Sequence, residues 1–177
     1  MTSNATFLNI VTALRAGQLV EVRPLRPKAN QVRRLIIRPD MDTLLKGARP
    51  QTGFPHYKAD FLFGSYAAGY LVTVSLIGNS KAKPDLERLQ GLDEVWALCF
   101  REPRPGWRFL GRFAQRNLFV GLRAYDRHTL GTIAKYHRQA EKIIDDWKSL
   151  LGDLQPQRGS NVSDYLSGVW RDVDQKT

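Results

Sequence analysis

Residues 107–128 read WRFLGRFAQRNLFVGLRAYDRH, which sets Arg108, Arg112, Arg116, Arg123 and Arg127 among aromatic side chains in a stretch otherwise fit for a sheet. A guanidinium is a permanent cation with a planar fork of donors that matches phosphate oxygens, and aromatic rings offer bases a stacking surface. Alternation along a strand places Arg108 and Arg112 on one face with Leu110, and Trp107, Phe109 and Phe113 on the other. In the following segment Leu118, Val120, Leu122 and Ala124 form one set, leaving Phe119, Arg123 and Tyr125 opposite. The expectation is an open sheet face on which Arg108, Arg112 and Arg123 stand beside Phe119 and Tyr125, with Arg116 between the two strands, a surface for RNA phosphates and bases. The competing reading is a solvated face whose arginines pair with Glu94, Glu102 or Asp126.

Candidate catalytic groups are few. His128 follows Tyr125, Asp126 and Arg127, and an imidazole that titrates near neutrality can act as general acid or base. The cluster YDRH, with Arg127 and His128, is the candidate for that role, against a bland reading of His128 as a loop histidine. His137 is expected to edge into water from a helix on which Tyr136 packs, and His56 to lie in a loop. Three scattered histidines and one cysteine give no zinc-ligand spacing, and no carboxylate cluster suggests calcium or magnesium, so neither metal nor cofactor is expected. Cys99 sits in an apolar run and reads as buried and inert. Neither GSYAAG nor GNSKAKP has the spacing of a phosphate loop.

The elements that must position these groups are partly legible. EVWALCFR, GWRFLGRFA and LFVGLRAYD are three strand-length segments joined by the short links EPRP and QRN, which predicts a three-stranded antiparallel meander. Gly131 to Leu151 carries an amphipathic apolar stripe, which predicts a helix on that sheet with Ile143, Ile144 and Trp147 over Trp107, Phe109 and Phe113. Upstream, Phe7, Leu8, Val11 and Leu14 recur at helical spacing until Gly17, LVEVRPLRP and QVRRLIIRP read as short strands, and MDTLLKGA as a short helix. Arg49 to Lys58 reads as a loop, YLVTVSLIG as a half-buried strand, PDLERL as a helical turn, and Ser160 onward as a last helix. The predicted fold class is α+β: a central antiparallel sheet, the meander plus N-terminal strands, with packing helices. Its expected organisation is a single domain over 1–177, with a basic N-terminal part at 1–58, a sheet-plus-helix core at 89–151 and a polar segment at 152–177.

Charge constrains the partners. The 177 residues hold 27 Lys and Arg against 17 Asp and Glu, a net charge of +10. Residues 1–58 hold ten bases and three acids, 91–140 nine and four, whereas 141–177 hold five and seven. Such a balance points to RNA, a ribosome or another anionic partner, an acidic protein included. The run from Phe61 to Ile77 is interrupted by polar and glycine residues, so no membrane span is expected. The first residues lack the basic start of a signal peptide, and a lone cysteine suits a reducing compartment, so a cytoplasmic location is expected.

The stretch from Leu89 to about Trp147, with LQGLDEVWALCFR, GWRFLGRF, NLFVGLRAYDRH and YHRQAEKIIDDW, resembles the RelE/HigB-type toxin superfamily of small RNA-cleaving or ribosome-associated proteins. The resemblance implies a curved sheet with RNA on a basic face, an acidic antitoxin-like partner, and metal-independent mRNA cleavage by attack of the ribose 2′-hydroxyl. The same resemblance implies Arg108 as a phosphate or transition-state contact, with Arg127 and His128 at the position of the family's basic residue after the strand, so that Arg108, Arg127 and His128 are its candidate catalytic residues. The family's two leading helices are replaced by some ninety residues of mixed character, and TLGTIAKYH intervenes before the helix. The competing reading is a non-catalytic binding module of a phage or mobile element.

Overall fold

A computed structural model describes residues 3–23, 31–47, 53–78 and 82–175. The element order is α1 (Ser3–Arg15), β1 (Val20–Val22), β2 (Arg34–Ile37), α2 (Pro39–Leu45), α3 (His56–Ala67), β3 (Val72–Ser75), β4 (Leu86–Arg88), β5 (Trp96–Phe100), β6 (Trp107–Gln115), β7 (Leu118–Asp126), α4 (Arg127–Leu130), α5 (Ile133–Leu151) and β8 (Trp170–Asp172). A 3-10 turn, Val162–Asp164, precedes β8.

The eight strands of the described residues join one sheet in the order β1-β2-β7-β6-β5-β4-β3-β8. The expected antiparallel sheet built on a three-stranded meander is thereby corrected. The meander exists as β5, β6 and β7, but β2 pairs parallel to β7, and β3 pairs parallel to both β4 and β8, so the sheet is mixed. Hairpin links announce neighbouring antiparallel strands, whereas a parallel partner lies far along the chain and leaves no local mark. PDLERL, expected as a helical turn, contributes β4, and the expected C-terminal helix is replaced by the 3-10 turn and β8. Three-residue strands are too short to show alternation. The expected loop at Arg49–Lys58 falls partly outside the described residues, and its last residues, His56 onward, begin α3.

Helices cover both faces. On one side α2 and α3 enclose Trp96, Phe100, Trp107, Phe109, Phe113 and Phe119, with Phe63 edge-on to Phe109 at 4.9 Å. On the other, α1 and α5 pack Ile10, Ala13, Ala140, Ile143 and Trp147 against Cys99, Leu110, Leu118, Val120 and Leu122. The expected burial of Trp107, Phe109 and Phe113 beneath α5 is therefore reversed. Their segregation from Arg108 and Arg112 was correct, but the aromatic face meets α3 and the arginine face meets α5. Two apolar faces on one strand both require a cover, and alternation does not say which helix supplies it.

The cap positions follow the chemistry of their residues. Thr132 accepts a bond from Lys135 N and starts α5, and Gly152, at φ 61°, ends it. Asp126 accepts from Thr129 N and starts α4 directly at the end of β7. That cap turns the chain out of β7 into α4, whose first residue is Arg127.

Candidate functional site

The β6–β7 ladder decides where the arginines go. Leu110 pairs with Arg123 while Gly111 pairs with Gly121, so Leu122 is an extra residue, and a second irregularity lies between Phe113 and Gln115. A bulge shifts the alternation by one. Leu118, Val120 and Leu122 face α5, and past the bulge Arg123 and Tyr125 reach α5 as well: Arg123 bonds Asp146 and the Tyr125 hydroxyl donates to Gln139 at 3.1 Å. Phe119 lies in the opposite core, 1% exposed and 5.1 Å from Phe113. The expected open face with Phe119 among the arginines is thus corrected, because α5 covers the face and the bulge separates Phe119 from Arg123.

Three of the arginines have local duties or none. Arg112 is 2% exposed, donates to Asp93 O and Oδ2 at 2.6 and 2.7 Å, and holds its guanidinium 5.3 Å from the Trp147 ring. Burial depresses the Arg112 pKa, with Asp93 acting in the opposite sense. Burial raises the Asp93 carboxyl, but Arg158 and Arg112 outweigh it and hold that carboxyl below its ordinary value. Arg123 grips Asp146 with two donors, at 2.5 and 2.8 Å, and this pairing keeps Arg123 more firmly protonated than usual. Arg116 stands exposed in the β6–β7 turn.

Arg108 differs. It is 8% exposed, yet among the described residues its Nη1 meets only the carbonyls of Trp107 and Phe100, at 3.0 and 3.4 Å, and its buried Nε has no partner. Among the described residues no carboxylate lies within ion-pair distance of it. It lines a pocket of about 160 Å³ together with Lys83, Glu87, Arg101, Arg127, Tyr136 and His137. Arg101 fixes the rim by donating to the carbonyls of Lys83 and Pro84. Arg127 donates to Gly131 O at 2.9 Å and lies 5.8 Å from the Tyr136 ring centre. The Tyr136 hydroxyl is buried and unpartnered, and burial drives its pKa well above the usual phenol value. Cys99 is opposite Arg108 in the β5–β6 ladder, and burial pushes its thiol up to about 12, which leaves it protonated and unreactive.

The structure therefore brings Arg108 and Arg127 together and leaves His128 exposed on α4, outside the pocket lining. It adds Tyr136 and His137, which sequence reasoning had placed in packing and in water. The signal available for them was their position on the first turns of α5, four and five residues beyond Thr132, beside the segment that carries Arg127. Lys83, Glu87 and Arg101 had no signal, since β4 and β5 bring them in only through the ladder. Among the described residues no group of three or more His, Cys, Asp or Glu is placed to hold a metal ion, and no helix is long and apolar enough to cross a membrane.

Comparison of the chain with protein-family models, with curated proteins and with solved structures finds no match.

Proposed function

We propose that the protein binds RNA, free or within a ribosome, by placing a phosphate in the pocket beneath the first turns of α5. The observation that carries this reading is Arg108, a buried guanidinium without a carboxylate partner among the described residues, joined at one pocket by Arg127, Arg101 and Lys83. An internal arginine ordinarily finds an anion, because an unpaired buried charge is costly. An entering phosphate supplies that anion and accepts from several donors at once. The net charge of +10 favours the approach of a polyanion from a distance.

The test is binding of a single-stranded RNA followed by fluorescence anisotropy across a salt series. Arg108→Ala weakens binding and reduces the log–log salt slope by about 0.7, the loss of one phosphate contact to a single strand. An unchanged affinity and slope in a folded variant rejects the pocket as the RNA site.

A second reading, metal-independent RNA cleavage like that of the RelE/HigB-type toxins, is favoured by Glu87, Tyr136 and His137 lining the same pocket as the cations. The ribose 2′-oxygen would attack phosphorus and expel the 5′-oxygen. Glu87 would accept the 2′-hydroxyl proton, His137 would give one to the leaving oxygen, and Arg108 with Arg127 would hold the charge that builds on the phosphorane. Incubation of labelled RNA tests it: His137→Ala slows cleavage by roughly 10² to 10⁴ while binding persists. RNA that stays intact with the native protein, alone and with translating ribosomes, leaves a binding module.

A further inference from the structure

We propose that the pocket selects a phosphate monoester at an RNA chain end over the phosphodiesters within the chain. The inference rests on the RNA-binding reading and adds the class of group that fills the site. Three observations lead to it.

Size is the first. A pocket of about 160 Å³ has room for about five waters at roughly 30 Å³ each, which is also the heavy-atom count of one phosphate group. Sites that enclose a whole small organic molecule are larger, about 300 to 1,000 Å³. A terminal phosphate can enter with one nucleotide left outside, whereas an internal phosphate must bring a nucleotide past the rim on each side.

Charge is the second. Among the described residues, Lys83, Arg101, Arg108 and Arg127 line the pocket against the one carboxylate of Glu87. A diester carries one negative charge, while a phosphate monoester carries about −1.5 to −2 at neutral pH. The excess of cations is matched better by the monoester.

Donor supply is the third. Among the described residues, two residues lining this pocket each hold a buried donor without an acceptor, Arg108 Nε and the Tyr136 hydroxyl; Arg112 Nε, outside the pocket, shares that state. Buried polar groups are nearly always bonded, so this pair marks the place where acceptor atoms belong. A monoester presents three non-bridging oxygens and a diester two. The third oxygen gives the cations and donors of the lining one more acceptor than a diester can.

The experiment compares one short RNA sequence in three forms, with a 5′-phosphate, with a 3′-phosphate, and with hydroxyls at both ends. One monoester form is expected to bind at least about tenfold more tightly than the dihydroxyl form, the worth of one added charge-assisted hydrogen bond. Which form it is identifies the end that is read. Inorganic phosphate competes away that preference, and Arg108→Ala abolishes it. Tyr136→Phe, which removes only the hydroxyl, reduces it and guards against a misfolded arginine variant. Arg171→Ala, an exposed change on β8, leaves it intact. Equal binding of the three forms overturns end selection and leaves the RNA reading standing. Failure of every form to bind overturns both.

Discussion

The face of the sheet beneath α5 has two ends that use the same residue types for different purposes. At the end nearer Trp147, Arg112, enclosed under that ring, and the half-exposed Arg123 are paired with the carboxylates of Asp93 and Asp146. At the end nearer Tyr136, Arg108 and Arg127 share a pocket with further cations, and Arg108 has no carboxylate partner among the described residues. Arg108 and Arg112 lie four residues apart on one strand and one face, so neither residue type nor alternation separates them. Neighbouring carboxylates do. An arginine whose charge is already matched holds elements together, whereas one left unmatched in a buried place stores a preference for an anion from outside.

That contrast can be broken most forcefully at its enclosed end. Trp147 is 1% exposed, covers the Arg112 guanidinium, and donates from Nε1 to Leu154 O at 2.6 Å. Trp147→Ala is expected to lower unfolding free energy by about 3 to 5 kcal/mol, read from urea denaturation. A loss under about 1 kcal/mol would mean that α5 is not the cover of this face.

Neutral replacement of each buried arginine then tests the difference directly. Arg112→Met leaves the solvent-exposed Asp93 carboxylate with Arg158, removes the donors to Asp93 and the guanidinium over Trp147, and is expected to cost about 1.5 to 3 kcal/mol, the scale of hydrogen bonds to a charged group. Arg108→Met breaks no ion pair among the described residues and removes an unsatisfied donor, so stability should stay within about 1 kcal/mol while RNA binding weakens. Equal losses of stability would place the two arginines in one structural class.

Acid sharpens the same comparison. The Asp93 carboxyl is held below its ordinary value in the folded chain, against an unfolded value of about 3.9. Its contribution is complete above that unfolded value and is lost as pH falls through the lowered folded one. Asp93→Asn should therefore lose stability near neutrality and show a flatter decline below about pH 4 than the native chain, as measured by the urea midpoint. An identical acid limb in both proteins would assign the acid sensitivity elsewhere.

The smallest expected effect is at Arg123, whose side chain is 34% exposed. Arg123→Lys keeps the charge and loses the two-pronged grip on Asp146, at a cost below about 1 kcal/mol. RNA binding should be unchanged, and a marked drop would return Arg123 to the nucleic-acid surface on which alternation alone had placed it.

Parts of this molecule were plain in the chain itself. The spans of β5, β6 and β7, the helix α5 with Gly152 at its end, and the separation of Arg108 and Arg112 from Phe109 and Phe113 all follow from period, turn length and end residues. These are local properties, fixed by the backbone's own geometry. The register past Leu122 was not legible, because a bulge is one unpaired residue and no strong local sign marked it. His128 attracted attention as a histidine beside Asp126 and Arg127, but the Asp126 cap begins α4 there and leaves His128 in water.

Sequence by itself determined that the chain is strongly basic, that it holds a hairpin-linked sheet with an amphipathic helix after it, and that its arginines cluster on particular strand faces. Only the tertiary structure decided which arginines are neutralised. Asp93 reaches Arg112 across 19 positions and Asp146 reaches Arg123 across 23, through strand pairing and helix packing. Lys83, Glu87 and Arg101 join Arg108 because β4 and β5 lie beside β6, and Tyr136 and His137 close the pocket because α5 crosses that sheet. Charge is a property of residues, but its compensation depends on distances of a few ångströms between segments far apart in the chain, and folding alone sets those distances.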